Sequence, residues 1–115
     1  MSEEKSHVNA AVWEYESENP EKAALLKDAL RNVRDPELGF NVIELGLIRN
    51  VVFQDGRFLI TMILTTPFCP YAPMMVESVR TRAEEALGTP AVIDLRMDLW
   101  DESMMEDGFE LDWGF

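Results

Sequence analysis

Residues 48–65 read IRNVVFQDGRFLITMILT, two runs of β-branched and aromatic residues on either side of Asp55-Gly56. An Asp-Gly pair between two such runs is the two-residue connection of a β-hairpin. It predicts one strand from Ile48 to Gln54 and a second from Arg57 to Thr65. In the second, Phe58, Ile60, Met62 and Leu64 share a face, while Leu59 and Ile63 alternate with Arg57, Thr61 and Thr65 on the other. A strand that is nearly apolar on both sides belongs in the middle of a sheet.

Working outward, Asn19-Pro20-Glu21 supplies a capping side chain, a proline at the first helical position and an acid in the first turn. Ala23, Leu26, Leu30 and Val33 then recur at helical spacing. A helix over Pro20–Val33 is expected. Downstream, the prolines of TTPFCPYAP (Thr65–Pro73) end the second strand. Val76, Val79, Ala83, Ala86 and Leu87 mark a helix over Ala72–Leu87, with Gly88 as its stop. In Ala91–Trp100, Ile93, Leu95, Met97 and Leu99 alternate with charged residues, the pattern of a third strand with one face buried and one wet. The order α-β-β-α-β predicts an α+β domain, a small mixed three-stranded sheet with two helices packed on one face. Residues 1–18 lack a clean period and read as a loose arm that Val12, Trp13 and Tyr15 could pin to the body. The domain proper is then 19–100, followed by an acidic and aromatic tail over 101–115.

The chain has 115 residues, 47% of them apolar, enough for one core and too little for two domains of ordinary size. No run approaches the ~18 consecutive apolar residues of a membrane span, and MSEEKSHVNA lacks the order of a signal peptide. A soluble, cytoplasmic protein is expected. Ten basic residues against twenty-two acidic give a net charge of −12, which repels phosphate backbones and anionic membranes. In the tail, six acids interleave with Met104, Met105, Phe109, Trp113 and Phe115. Two readings stand for it: a partner-binding segment, or apolar side chains folded back on the domain with the acids in water.

Cys69 is the only cysteine, placed where a central strand ends and a helix begins. The first turn of a helix offers unpaired N–H groups and the positive end of the macrodipole, both of which favour a thiolate. Thr65 and Thr66 add hydroxyls, and Pro67, Pro70 and Pro73 stiffen the backbone. The competing reading is a buried cysteine acting as a small hydrophobe. In the loop DPELGFNVIELGLI (Asp35–Ile48), Asp35 and Glu37 could face a site together as metal ligands or as acid and base. They equally suit the capping of a short turn opened by Pro36. His7 is the only histidine, and neither a phosphate-binding Walker loop nor GxGxxG is present. A zinc or iron–sulfur site needs about four good ligands, so a thiolate-rich site would have to be completed from outside this chain.

The Asp35–Ile48 loop, the hairpin, LTTPFCP (Leu64–Pro70), a helix and a third strand together resemble the metal–sulfur cluster assembly factor family. That family includes the bacterial SufT and PaaD proteins and the eukaryotic MIP-type factors. The resemblance runs from about Leu25 to Trp100. It aligns the family's DPE loop with Asp35, Pro36 and Glu37, its LGLI with Leu45–Ile48, and its threonine and cysteine-proline motif with Thr65, Cys69 and Pro70. It implies that Cys69 is the functional thiol and that Asp35, Thr65 and Cys69 gather in one cluster, with Glu37 and Thr66 beside them. Phe68 departs from the small residue common before the cysteine. The function implied is non-enzymatic: iron–sulfur cluster assembly or delivery, with Cys69 transiently binding iron or a cluster at the interface of a homodimer or with a client. Its partners would be apo client proteins and other assembly factors. The alternative is a metal-free adaptor that recruits clients while Cys69 is structural. An enzyme with Cys69 as nucleophile is disfavoured, because no histidine is available as its base.

Overall fold

Trp13 and Tyr15 lie in the core, at 3% and 6% exposure, on either side of the start of a short helix that the sequence periodicity does not reveal. The computed structural model describes residues 11, 13–36, 38–65, 70–100 and 104–105. Its elements in chain order are α1 (Glu14–Glu18), α2 (Pro20–Leu30), β1 (Ile48–Gln54), β2 (Arg57–Met62), α3 (Ala72–Leu87) and β3 (Ala91–Leu95). The expected α-β-β-α-β order is present, with α1 added before it. The end of the expected arm is therefore ordered: the Trp13 indole N–H donates to the Ile48 carbonyl, and the Tyr15 ring meets Phe58 edge-on at 5.0 Å. A five-residue helix spans little more than one turn, too short to show a 3.6-residue period.

The sheet has the order β1-β2-β3, with β2 in the centre as its two apolar faces required. β1 and β2 pair antiparallel across Asp55-Gly56, whose φ values of 57° and 78° are those of a primed hairpin turn. β2 and β3 pair parallel, with Phe58 beside Ala91 and Met62 beside Leu95, and α3 is the crossover between them. Val51, Phe58, Ile60, Met62 and Ala91 are buried, while Val52, Leu59 and Thr61 between them are half-exposed and Val92 is exposed. The helices accordingly cover one face. Asn19 caps α2 by accepting from the Lys22 N–H, and Gly88 ends α3 in the left-handed region at φ 65°.

Three element ends fall short of expectation. α2 ends at Leu30, although Val33 beyond it is buried as its spacing foretold. β2 ends at Met62 rather than Thr65, because the Ile63 N–H turns to the Leu47 carbonyl of the loop before β1. β3 ends at Leu95 rather than Trp100. Its last backbone bond to β2 is Arg96 N–H to the Met62 carbonyl, past which β2 offers no partner. The expected buried face fails with it: Leu95, Met97 and Leu99 are exposed, the last two at 61% and 78%.

After β3 the chain returns to the loop ahead of β1. The Trp100 indole N–H donates to the Leu45 carbonyl at 2.6 Å, and Met105 is buried in the core. Gly46, at φ 73°, lies against the backbone of Met104 so closely that a Cβ there would collide with its carbonyl. Part of the tail thus folds back, as one of its two readings held; 101–103 and 106–115 lie outside the described residues.

Candidate functional site

Val33, Arg34 and Asp35 run alongside Phe40, Asn41 and Val42 as a miniature hairpin. The Val42 N–H bonds the Val33 carbonyl and the Asp35 N–H bonds the Phe40 carbonyl, each at 2.9 Å, around a bridge between Arg34 and Asn41. Gly39, at φ 81°, makes the reversal, and its N–H donates to the Asp35 carbonyl. The Arg34 guanidinium donates to the Gly39 carbonyl at 2.8 Å and clasps the tip.

This loop puts the Asp35 carboxylate at 1% exposure. A buried carboxylate requires donors, and it has them. Oδ1 accepts from the Leu38 N–H at 3.3 Å, the cap expected of an aspartate before Pro36. Oδ2 accepts from the Thr65 hydroxyl at 2.9 Å. Thirty residues separate the two in sequence. The contact therefore fastens the Asp35 loop to the corner where the chain leaves β2, which is also where the Cys69 segment begins.

Of the five candidate residues, the structure brings Asp35 and Thr65 together. Glu37, Thr66 and Cys69 lie outside the described residues. Among the described residues no group of three or more His, Cys, Asp or Glu could hold a metal ion. Each carboxylate oxygen of Asp35 thus accepts a hydrogen bond, one from Leu38 and one from Thr65.

A second fastening went unread in the sequence. Asn41 Oδ1 accepts from the N–H groups of Ile43 and Glu44, while Glu44 Oε1 accepts from the Asn41 N–H. This is a reciprocal capping box. Its signal, Asn followed three residues later by Glu ahead of LGL, stands in the sequence as NVIE. The box fixes the turn over 42–46 that carries the chain from the Asp35 hairpin into β1.

The family described as iron–sulfur cluster assembly protein matches residues 24–94. Over 89 residues the chain is 45% identical to an Fe-S protein maturation auxiliary factor of Porphyromonas gingivalis, covering 75% of this chain and 85% of that one. It is 33% identical over 79 residues to the Fe-S protein maturation auxiliary factor SufT of Staphylococcus aureus, covering 64% and 86%. Among solved structures, a conserved hypothetical protein of Thermotoga maritima superposes with a TM-score of 0.63 at 31% identity, covering 73% of this chain and 85% of that one.

Proposed function

The chain belongs to the iron–sulfur cluster assembly protein family, and from that premise we propose how its one thiol takes part. It is an auxiliary factor in the maturation of iron–sulfur proteins. Its working group is Cys69, which transiently ligates iron or a cluster as cargo. Because a cluster draws on about four ligands and this chain offers one thiolate, the rest come from a client or from a second copy of the chain. Asp35 and Thr65, bonded to each other with Thr65 four residues ahead of Cys69 in the chain, support it, and Glu37 and Thr66 are the other candidates; none of the four is required as a ligand. The work is done in the cytoplasm, on apo clients and alongside other assembly factors, and makes or breaks no covalent bond in a substrate.

The observation that carries this reading is the Thr65–Asp35 hydrogen bond, which joins the two family motifs at one corner. Anaerobic reconstitution with ferrous iron and sulfide, followed by visible absorption and iron counting, tests it. Wild type is expected to take up iron–sulfur chromophore and Cys69→Ser to lose it; equal loading of the two sinks direct ligation. The exposed Met97 and Leu99 favour a second reading, a metal-free adaptor whose apolar surface recruits clients. In that case Cys69→Ser would still capture client protein at wild-type strength.

A further inference from the structure

The pairing of β3 with β2 settles which of its backbone groups face away from the sheet. The Phe58 N–H donates to the Pro90 carbonyl and the Arg96 N–H to the Met62 carbonyl, so in the parallel ladder Val92 and Asp94 make the bonds between them. Ala91, Ile93 and Leu95 therefore turn their N–H and C=O groups to the outer edge. Glu84 covers the first of these positions: its Oε2 accepts from the Ala91 N–H at 3.0 Å, and Arg80 holds its Oε1 at 2.8 Å. Such a side chain guards an edge against stray pairing. The cover stops there. Among the described residues nothing bonds to the outward groups of Ile93 and Leu95.

The side chains around this open stretch select what can pair with it. Leu95, Met97 and Leu99 are exposed at its end, and Val92 is exposed on the face that no helix covers. Single exposed apolar residues are ordinary, but four along a bare edge form a strip. α3 returns antiparallel to β3, and Glu84 touches Ala91, so the helical stripe of Glu77, Arg80 and Glu84 runs along the same edge. The strand adds Asp94, paired with Arg96 at 2.9 Å, and Asp98, whose charge also acts on Arg96. Four carboxylates thus face two guanidiniums, in a chain of net charge −12. A strand that carries lysine or arginine is drawn to such an edge, whereas an acidic one, a second copy of this chain included, is repelled.

We propose that the outer edge of β3, at Ile93 and Leu95, is a docking site for an extended segment of another protein in which basic and apolar side chains alternate. The segment adds as a further strand, its backbone bonding to Ile93 and Leu95. Its apolar side chains lie with Val92, Leu95 and Met97, and its cations meet Glu77, Asp94 and Asp98. Glu84 sets the boundary, confining the pairing to the end of β3 that lies toward Thr65 and Asp35. The site asks nothing of Cys69, so its failure would leave the ligation of iron untouched.

Dye-labelled peptides serve as the probe: a short one alternating lysine and valine, its glutamate and valine counterpart, and a third with the lysines and valines in two separate blocks. Fluorescence anisotropy on the full chain should give the alternating lysine peptide a Kd at least about tenfold below either control. By NMR, the Ile93 and Leu95 amides should exchange freely in the protein alone and become protected once that peptide binds. Ile93→Pro removes one outward N–H and spares the bonds that Val92 and Asp94 make to β2, while Leu95→Lys/Met97→Lys sets cations on the exposed strip. Each should weaken binding at least about tenfold while the Ile60 amide, inside the sheet, keeps its protection. Absence of binding, equal binding of the two lysine peptides, or an unchanged Kd in either folded variant overturns the proposal. So does protection of Ile93 and Leu95 without peptide. If it fades on dilution as light scattering reports a dimer becoming monomer, the occupant is a second copy; if it persists, the occupant is another part of this chain.

Discussion

Asp35 shows how one side chain can serve two ends of the chain. Its sequence context suits a capping residue, and one of its oxygens caps Leu38 while the other accepts from the Thr65 hydroxyl. Asp35→Ala removes two hydrogen bonds to a charged acceptor and should cost about 1–3 kcal/mol. In a domain of this size each kcal/mol lowers Tm by roughly 4–8 °C. Thr65→Val removes the hydroxyl alone and leaves the Leu38 bond, so its loss should be the smaller, about 1 kcal/mol. Thermal denaturation of both variants and their double checks this: the double should fall less than the sum, because the two share a bond. Asp35 and Thr65 were legible as candidates because each belongs to a motif with its own turn or strand-end chemistry. Their meeting was legible by resemblance alone, since no local pattern joins residues thirty apart.

At the scale of elements, the ones whose boundaries are set by their own residues were legible to the residue. Asp55-Gly56 fixes the facing ends of β1 and β2, and Gly88 fixes the end of α3. Ends set by a partner were not. β3 carries an apolar alternation as far as Leu99, yet it stops where β2 stops. α1 was missed for a related reason, because tertiary contacts hold it: Trp13 to Ile48, Glu14 to Asn50, and an ion pair from Glu16 to Lys27 at 2.8 Å. Burial opposes ionisation of Glu16, but Lys27 and the Trp13 N–H outweigh it and hold the carboxyl below its usual range. A carboxyl more acidic in the folded than in the unfolded chain stabilises the fold while ionised. That contribution is complete above the unfolded value, about 4.3, and is lost as pH falls through the lower folded value. Glu16→Gln should therefore cost about 0.2–1 kcal/mol at neutral pH, as expected of a part-exposed pair. Urea titrations should show the gap from wild type narrowing as pH falls below that unfolded value.

For the molecule as a whole, charge is the dominant long-range term. Twenty-two acids against ten bases leave twelve negative charges without compensation in a body with a radius of gyration of 13.9 Å. The Debye length at 0.1 M salt is about 10 Å, so added salt screens repulsion across this body. Surface pairs such as Arg80 with Glu84 and Arg96 with Asp94 weaken at the same time, but exposed pairs of this kind contribute little. Repulsion should win. Tm is expected to rise by several degrees between about 0.01 and about 0.5 M sodium chloride, and calorimetry across that range checks the sign.

The return of the chain to Gly46 bears on how the protein comes into being. The loop before β1 is completed by Trp100 on Leu45, by Met104 against Gly46 and by Met105 in the core. A ribosome makes the loop more than fifty residues before it makes the pieces that close it. The hairpin and helices can gather as they emerge, but the core stays open on that side until residues 100–105 have left the exit tunnel. The nascent chain thus carries an unfinished side while those fifty-odd residues are made. The loop ahead of β1 is closed only after the hairpin and the helix α3 have been made.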